Sequence, residues 1–118
     1  AKKPIVLHVP GMDGVGISSF RQYEELSKSF EFWRLIIDQS DRSTFVQITN
    51  TIVDFISELT ADENRTVVLI GESFGGLLAP AVAMKLEAKA KKCERTSPVK
   101  GLVLVNPATS FDETSWDL

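Results

Sequence analysis

Short, mostly apolar runs alternate along this chain with longer stretches whose apolar residues recur every three or four positions. The short runs cover residues 4–9 (PIVLHV), 32–37 (FWRLII), 66–70 (TVVLI) and 99–105 (VKGLVLV). The run 66–70 is β-branched and unbroken, as a strand buried on both faces of a parallel sheet should be. The longer stretches predict helices from Ser19 to about Phe30, over residues 44–59, and from about Phe74 to Lys92. Strand and helix alternate throughout, which predicts an α/β fold. Right-handed crossovers then order the strands in space as second, first, third, fourth. The loops leaving the first and third strands emerge side by side at the carboxyl ends of adjacent strands, where α/β sheets place ligands.

Local signals refine these boundaries. Ser19 with Gln22, and Thr44 with Gln47, have the spacing of capping boxes. Glu24 and Lys28 predict an i,i+4 pair on the wet side of the first helix. Phe45, Ile48, Ile52, Phe55, Ile56 and Leu59 lie on one face of the second. Pro80 lacks an amide hydrogen and predicts a bend in the third helix. Lys85, Lys89, Lys91 and Lys92 read as a solvated face whose charge suits the helix C-terminus. The tail to Leu118 is irregular, and no repeat or linker interrupts the chain.

The chemistry concentrates at residues 71–76, GESFGG. This is G-x-S-x-G at a strand-to-helix junction, the context of a nucleophile elbow. Such a turn strains the serine backbone and exposes its hydroxyl, so Ser73 is the candidate nucleophile. Gly71 and Gly75 would lack side chains because strand and helix approach closely there. The N–H of Phe74, immediately after the nucleophile, is one expected oxyanion donor at the new helix's N-terminus. A second should come from the loop after an earlier strand. Pro10-Gly-Met-Asp-Gly occupies that place, with the backbone N–H of Met12 as the candidate donor and its side chain left to line an acyl pocket.

Composition narrows the alternatives. The chain has 118 residues, 43% hydrophobic content and a net charge of −3, so nothing points to a nucleic-acid partner. Cys93 is the single cysteine, too few for an intrachain disulfide, and reads as an incidental side chain near a helix end. No apolar run approaches a membrane span. The chain begins Ala-Lys-Lys-Pro without an initiator Met or a targeting segment and reads as an excised segment. The chemistry requires no cofactor and no metal. A dinucleotide-binding reading, with Asp38 on a ribose, fails on spacing: glycines 11, 14 and 16 give G-x-x-G-x-G, not G-x-G-x-x-G.

A nucleophilic serine also needs a base. His8 is the only histidine. It lies within the first strand and reads as a hydrogen-bonded sheet residue. Asp112 and Asp117 follow the fourth strand, where an acid could stand in a variant arrangement, but they read as solvated. The 118 residues alone do not hold a Ser-His-acid triad.

Taken in order, VPGMDGVG, GESFGG and NPATSF resemble the α/β-hydrolase region of the plant and algal esterase/lipase/thioesterase family, which includes phytyl ester synthases and diacylglycerol acyltransferase-like proteins. The resemblance covers nearly the whole chain. It implies an α/β-hydrolase fold fragment spanning 1–118, the nucleophile half of the domain, with the later acid and histidine elements absent. It maps Ser73 to the nucleophile, and Met12 and Phe74 to the oxyanion positions. It further implies acyl transfer from acyl-CoA, acyl carrier protein or galactolipid to phytol or diacylglycerol. It places that activity in the chloroplast, with peripheral membrane or lipid-droplet association of the parent protein. Ester hydrolysis on the same fold, or a non-catalytic binding module, are the alternatives.

Overall fold

A computed structural model of the chain describes residues 3–11, 20–38, 40–61 and 65–105. Within them the order is β1 (Ile5–Val9), α1 (Phe20–Ser29), β2 (Glu31–Arg34), α2 (Phe45–Leu59), β3 (Val67–Glu72), α3 (Gly75–Lys92) and β4 (Val99–Val105). The four strands form one sheet in the order β2-β1-β3-β4, all neighbours parallel. This is the predicted order, and it is that of an α/β-hydrolase-like fold.

The core follows from the strand chemistry. β1 and β3 are central, and all five β1 residues are buried. Ile5, Leu7, Val9, Val67 and Leu69 meet Ile52, Val53 and Ile56 of α2 and Leu78, Ala79, Val82 and Leu86 of α3. Helices α2 and α3 also touch each other, and Lys89 of α3 donates to Ser57 Oγ of α2 at 3.0 Å. The α2 capping box forms as expected: Gln47 N–H donates to Thr44 Oγ1 at 3.1 Å, and Thr44 N–H to Gln47 Oε1 at 2.8 Å. The Ser19–Gln22 box lies outside the described residues. Lys28 reaches Glu25 at 3.1 Å, three positions back, rather than the expected Glu24.

Boundaries differ from expectation where glycine and proline act. β2 stops at Arg34, although apolar residues run on to Ile37. Leu35 N–H still reaches the His8 carbonyl at 2.9 Å, but β1 ends at Val9, before Pro10, leaving nothing further to pair with. β3 instead runs past Ile70, because Gly71 and Glu72 still pair with Leu104 and Val105 of β4. Helix α3 runs unbroken through Pro80. Its C-terminus closes with Arg95 N–H on the Ala90 carbonyl at 2.8 Å and Glu94 N–H on the Lys91 carbonyl at 3.1 Å. That is a Schellman pattern with Glu94, at φ +54°, where glycine is usual.

The outer strand β4 is apolar and open. Leu102, Val103, Leu104 and Val105 are each 40–47% exposed, on both faces of the sheet. On the other outer strand Trp33 is partly covered by Phe55, edge to face at 5.4 Å.

Candidate active site

Ser73 occupies the turn between β3 and α3 with φ +52°, a region disfavoured for residues bearing a side chain. The turn is forced by how closely the backbones approach. A Cβ on Gly71 would lie 2.5 Å from the Gly75 carbonyl oxygen and 3.0 Å from Ala79 Cβ. A Cβ on Gly75 would collide with the Val9 carbonyl oxygen and lie 2.7 Å from that of Pro10. The first glycine therefore lets α3 pack on β3, as expected. The second lets α3 pack on the end of β1, a contact between segments distant in sequence that the motif did not reveal.

Hydrogen bonds hold the turn on both sides. Ser73 N–H donates to the Val105 carbonyl of β4 at 3.0 Å, and the Ser73 carbonyl accepts from Gly76 N–H at 2.9 Å. Phe74 already has helical backbone, φ −58° and ψ −37°, so α3 begins directly after Ser73. Its position is the positive end of the α3 dipole. The Phe74 ring packs edge-on against Phe45, centroids 6.4 Å apart.

The loop leaving β1 passes beside Ser73. A Cβ on Gly11 would sit 3.1 Å from Ser73 Cβ and 3.8 Å from Ser73 Oγ. This is the expected side-by-side emergence from adjacent strand ends. Met12, the expected second donor, lies outside the described residues, as do Asp112, Asp117 and the NPATSF segment.

His8 is 1% exposed, and its Nε2 stands 3.1 Å from Glu72 Oε2. It is the buried, hydrogen-bonded sheet histidine expected from its place in β1. Glu72, the variable residue ahead of Ser73, is its partner, a role that sequence reading missed. The pairing is legible only once parallel register sets His8 beside Ile70, two residues before Glu72 on the same face.

Asp38 does not stand free for a ribose. Its Oδ1 accepts Ser40 N–H at 2.8 Å and the Ser40 hydroxyl at 2.7 Å, and these bonds hold its carboxyl below the usual range. Asp41 does the same for Ser43, whose hydroxyl and N–H lower it. Cys93 is exposed and unpaired by disulfide. It borders a cavity of about 420 Å³ whose lining includes Arg65 and Lys100, at the amino ends of β3 and β4, and Lys89 near the carboxyl end of α3. That cavity is at the wrong end of the sheet to serve Ser73. Among the described residues no cluster of His, Cys, Asp and Glu could hold a metal, and no helix is long and apolar enough to cross a membrane.

Comparison with known proteins agrees with this geometry. A family model described as serine carboxypeptidase matches residues 15–116. The chain is 37% identical over 112 residues to "Phytyl ester synthase 1, chloroplastic" of Arabidopsis thaliana, covering 94% of this chain and 15% of that protein. It is 35% identical over 107 residues to "Phytyl ester synthase 2, chloroplastic" of the same plant, covering 90% of this chain and 14% of that protein. The chain thus spans about one seventh of the length of these curated relatives. The crystal structure of a lipase-esterase related protein from Clostridium acetobutylicum superposes with a TM-score of 0.66 over 97% of this chain and 46% of that one. At 21% identity that likeness speaks to the fold. The chain therefore belongs to the serine carboxypeptidase family, and it resembles the α/β-hydrolase region of the phytyl ester synthases.

Proposed function

We propose that these 118 residues are the nucleophile half of an α/β-hydrolase domain that transfers acyl groups to a lipid alcohol through an acyl-enzyme on Ser73. The observation that carries the proposal is the strained Ser73, φ +52°, at a glycine-flanked turn from β3 into α3. The relatives' names supply the reaction class, acyl ester formation, and the plastid setting.

In this reading Ser73 Oγ attacks the acyl carbonyl carbon and gives its proton to a general base. The N–H groups of Phe74 and Met12 stabilise the oxyanion of the tetrahedral intermediate. Collapse expels the donor's thiol or alcohol, which takes the proton back, and leaves the acyl ester on Ser73. Phytol or diacylglycerol then gives its hydroxyl proton to the base and attacks that ester, and collapse breaks the acyl–Oγ bond, returns the proton to Ser73 Oγ and releases the new lipid ester. The acyl donor is an acyl-CoA, an acyl carrier protein or a galactolipid. His8 is not the base, because its ring is buried and its Nε2 faces Glu72. The proposal places the base and its acid on sequence beyond these residues, and the membrane or lipid-droplet association with that whole protein.

A second reading, hydrolysis with water in place of the alcohol, is favoured by the hydrolytic description of the matched family. Product analysis separates the two. The protein is expressed with any sequence its gene encodes beyond Leu118 and supplied with an acyl-CoA, with and without phytol. The proposal expects phytyl ester, lost by about 10³-fold or more in Ser73→Ala. Free fatty acid alone would indicate the hydrolase. Turnover indifferent to Ser73→Ala would refute both.

A further inference from the structure

The pair formed by His8 and Glu72 is unexplained by folding alone. β1 reads Ile-Val-Leu-His-Val and is buried along its whole length. Any aliphatic side chain would satisfy that position without the desolvation that an imidazole and a carboxylate bring. The bond, 3.1 Å from Nε2 to Oε2, instead joins the middle of the sheet to the residue that directly precedes Ser73. The histidine side chain is 2% exposed and the glutamate side chain 18%.

Register explains the reach. His8 pairs with Ile70 on β3, and Glu72 lies two residues further along the same face. The glutamate is thus tied back to β1 at the point where β3 ends. On the opposite side, Ser73 N–H is tied to Val105 of β4 at 3.0 Å. The backbone that carries the strained serine is therefore anchored on both flanking strands, once through a side chain and once through an amide.

We infer that His8 and Glu72 are positioning residues whose hydrogen bond holds the β3 terminus, and through it the Ser73 hydroxyl, in attack geometry. The inference rests on the reading of Ser73 as nucleophile. Neither side chain touches the reacting atoms in this scheme. Their contribution is to keep the turn from relaxing, and a displacement of about 1 Å at a reacting group can lower rates about 10²-fold.

The test uses the protein expressed with any sequence encoded beyond Leu118, and an alkyl fluorophosphonate as probe. Saturation kinetics separate the maximal inactivation rate from the half-saturating concentration. In His8→Leu and in Glu72→Ala the maximal rate should fall about 10- to 100-fold with little change in half-saturation. The double variant should lose no more than either single variant, because both break one bond. Glu72→Gln keeps an acceptor for the imidazole and should recover most of the rate. Full-rate labelling in His8→Leu and Glu72→Ala, or equal loss in Glu72→Ala and Glu72→Gln, would overturn the inference.

Amide exchange supplies a readout independent of reactivity. In His8→Leu, exchange at residues 71–76 should rise at least tenfold relative to Val67 and Leu69. Exchange that is unchanged, or that rises uniformly across β3, would reduce the pair to ordinary sheet packing. If the parent protein fails to react at Ser73, the nucleophile reading falls and the positioning role falls with it. Local exchange at 71–76 would then still show whether the bond anchors the turn.

Discussion

Replacing Gly75 by alanine sets helix preference against packing. Gly75 is the first residue of α3, and alanine is favoured over glycine in a helix by at most about 1 kcal/mol. The added methyl, however, would collide with the Val9 carbonyl oxygen, and would sit 2.7 Å from the Pro10 oxygen and 2.8 Å from the Val9 carbonyl carbon. These are backbone atoms of the last residue of a central strand, paired with Gly71 of β3, and of the proline that follows it, so they have little room to give. Overpacking of this kind costs about 1–3 kcal/mol, and three short backbone contacts put Gly75 at the upper end. The net expectation is a loss of about 2 kcal/mol, or about 1 M in the urea midpoint at a slope of about 2 kcal/mol/M. Gly101→Ala is the control, since the nearest atoms to its methyl would be those of the Val68 side chain, the two methyls at 3.3 and 3.4 Å. That variant should stay within about 0.5 kcal/mol of the parent. Urea unfolding of the three chains, with slopes checked for equality, reads the difference. A Gly75→Ala chain as stable as the parent would refute the claim that α3 is seated directly on the end of β1.

Glu94→Gly should stabilise by about 0.5–1 kcal/mol, because it relieves a φ of +54° at the residue after the Cys93 C-cap; thermal unfolding checks it. Asp38 and Asp41 titrate below their ordinary range in the folded chain, so their contribution is present above that range and is lost as pH falls through the lowered values. Amide exchange at Ser40 and Ser43 should therefore show less protection in acid than at neutral pH, and Asp38→Asn should weaken that dependence at Ser40. The open, apolar β4 predicts self-association of the 118-residue chain, and Val103→Lys should reduce it. Sedimentation velocity at several concentrations decides this, and a parent that is monomeric throughout would contradict it.

What could be read from the sequence was what is local. The four apolar runs, the Thr44–Gln47 box and the GESFGG junction each carry their structural consequence within a few residues. The strand order followed because parallel crossovers allow few arrangements. What escaped detection depended on partners far along the chain. Glu72 looked like a variable motif position until β1 set His8 beside it. Gly75 looked like a turn glycine, but its constraint comes from Val9 and Pro10. The run 32–37 promised six strand residues, and the early end of β1 leaves only 32–34 of them in β2. Glu94 carries a conformation usually assigned to glycine, and no local residue pattern signals it. Of the two proposed oxyanion donors, Phe74 opens α3 directly after Ser73, while Met12 falls outside the described residues.

The central claim is that Ser73 is a nucleophile, and covalent trapping tests it most directly. The protein, expressed with any sequence encoded beyond Leu118, is treated with a fluorophosphonate, digested and mapped by mass spectrometry. The account predicts one adduct, on the peptide that contains Ser73, and its loss in Ser73→Ala. An unmodified Ser73 in a folded protein, or an adduct that persists in Ser73→Ala, would contradict it.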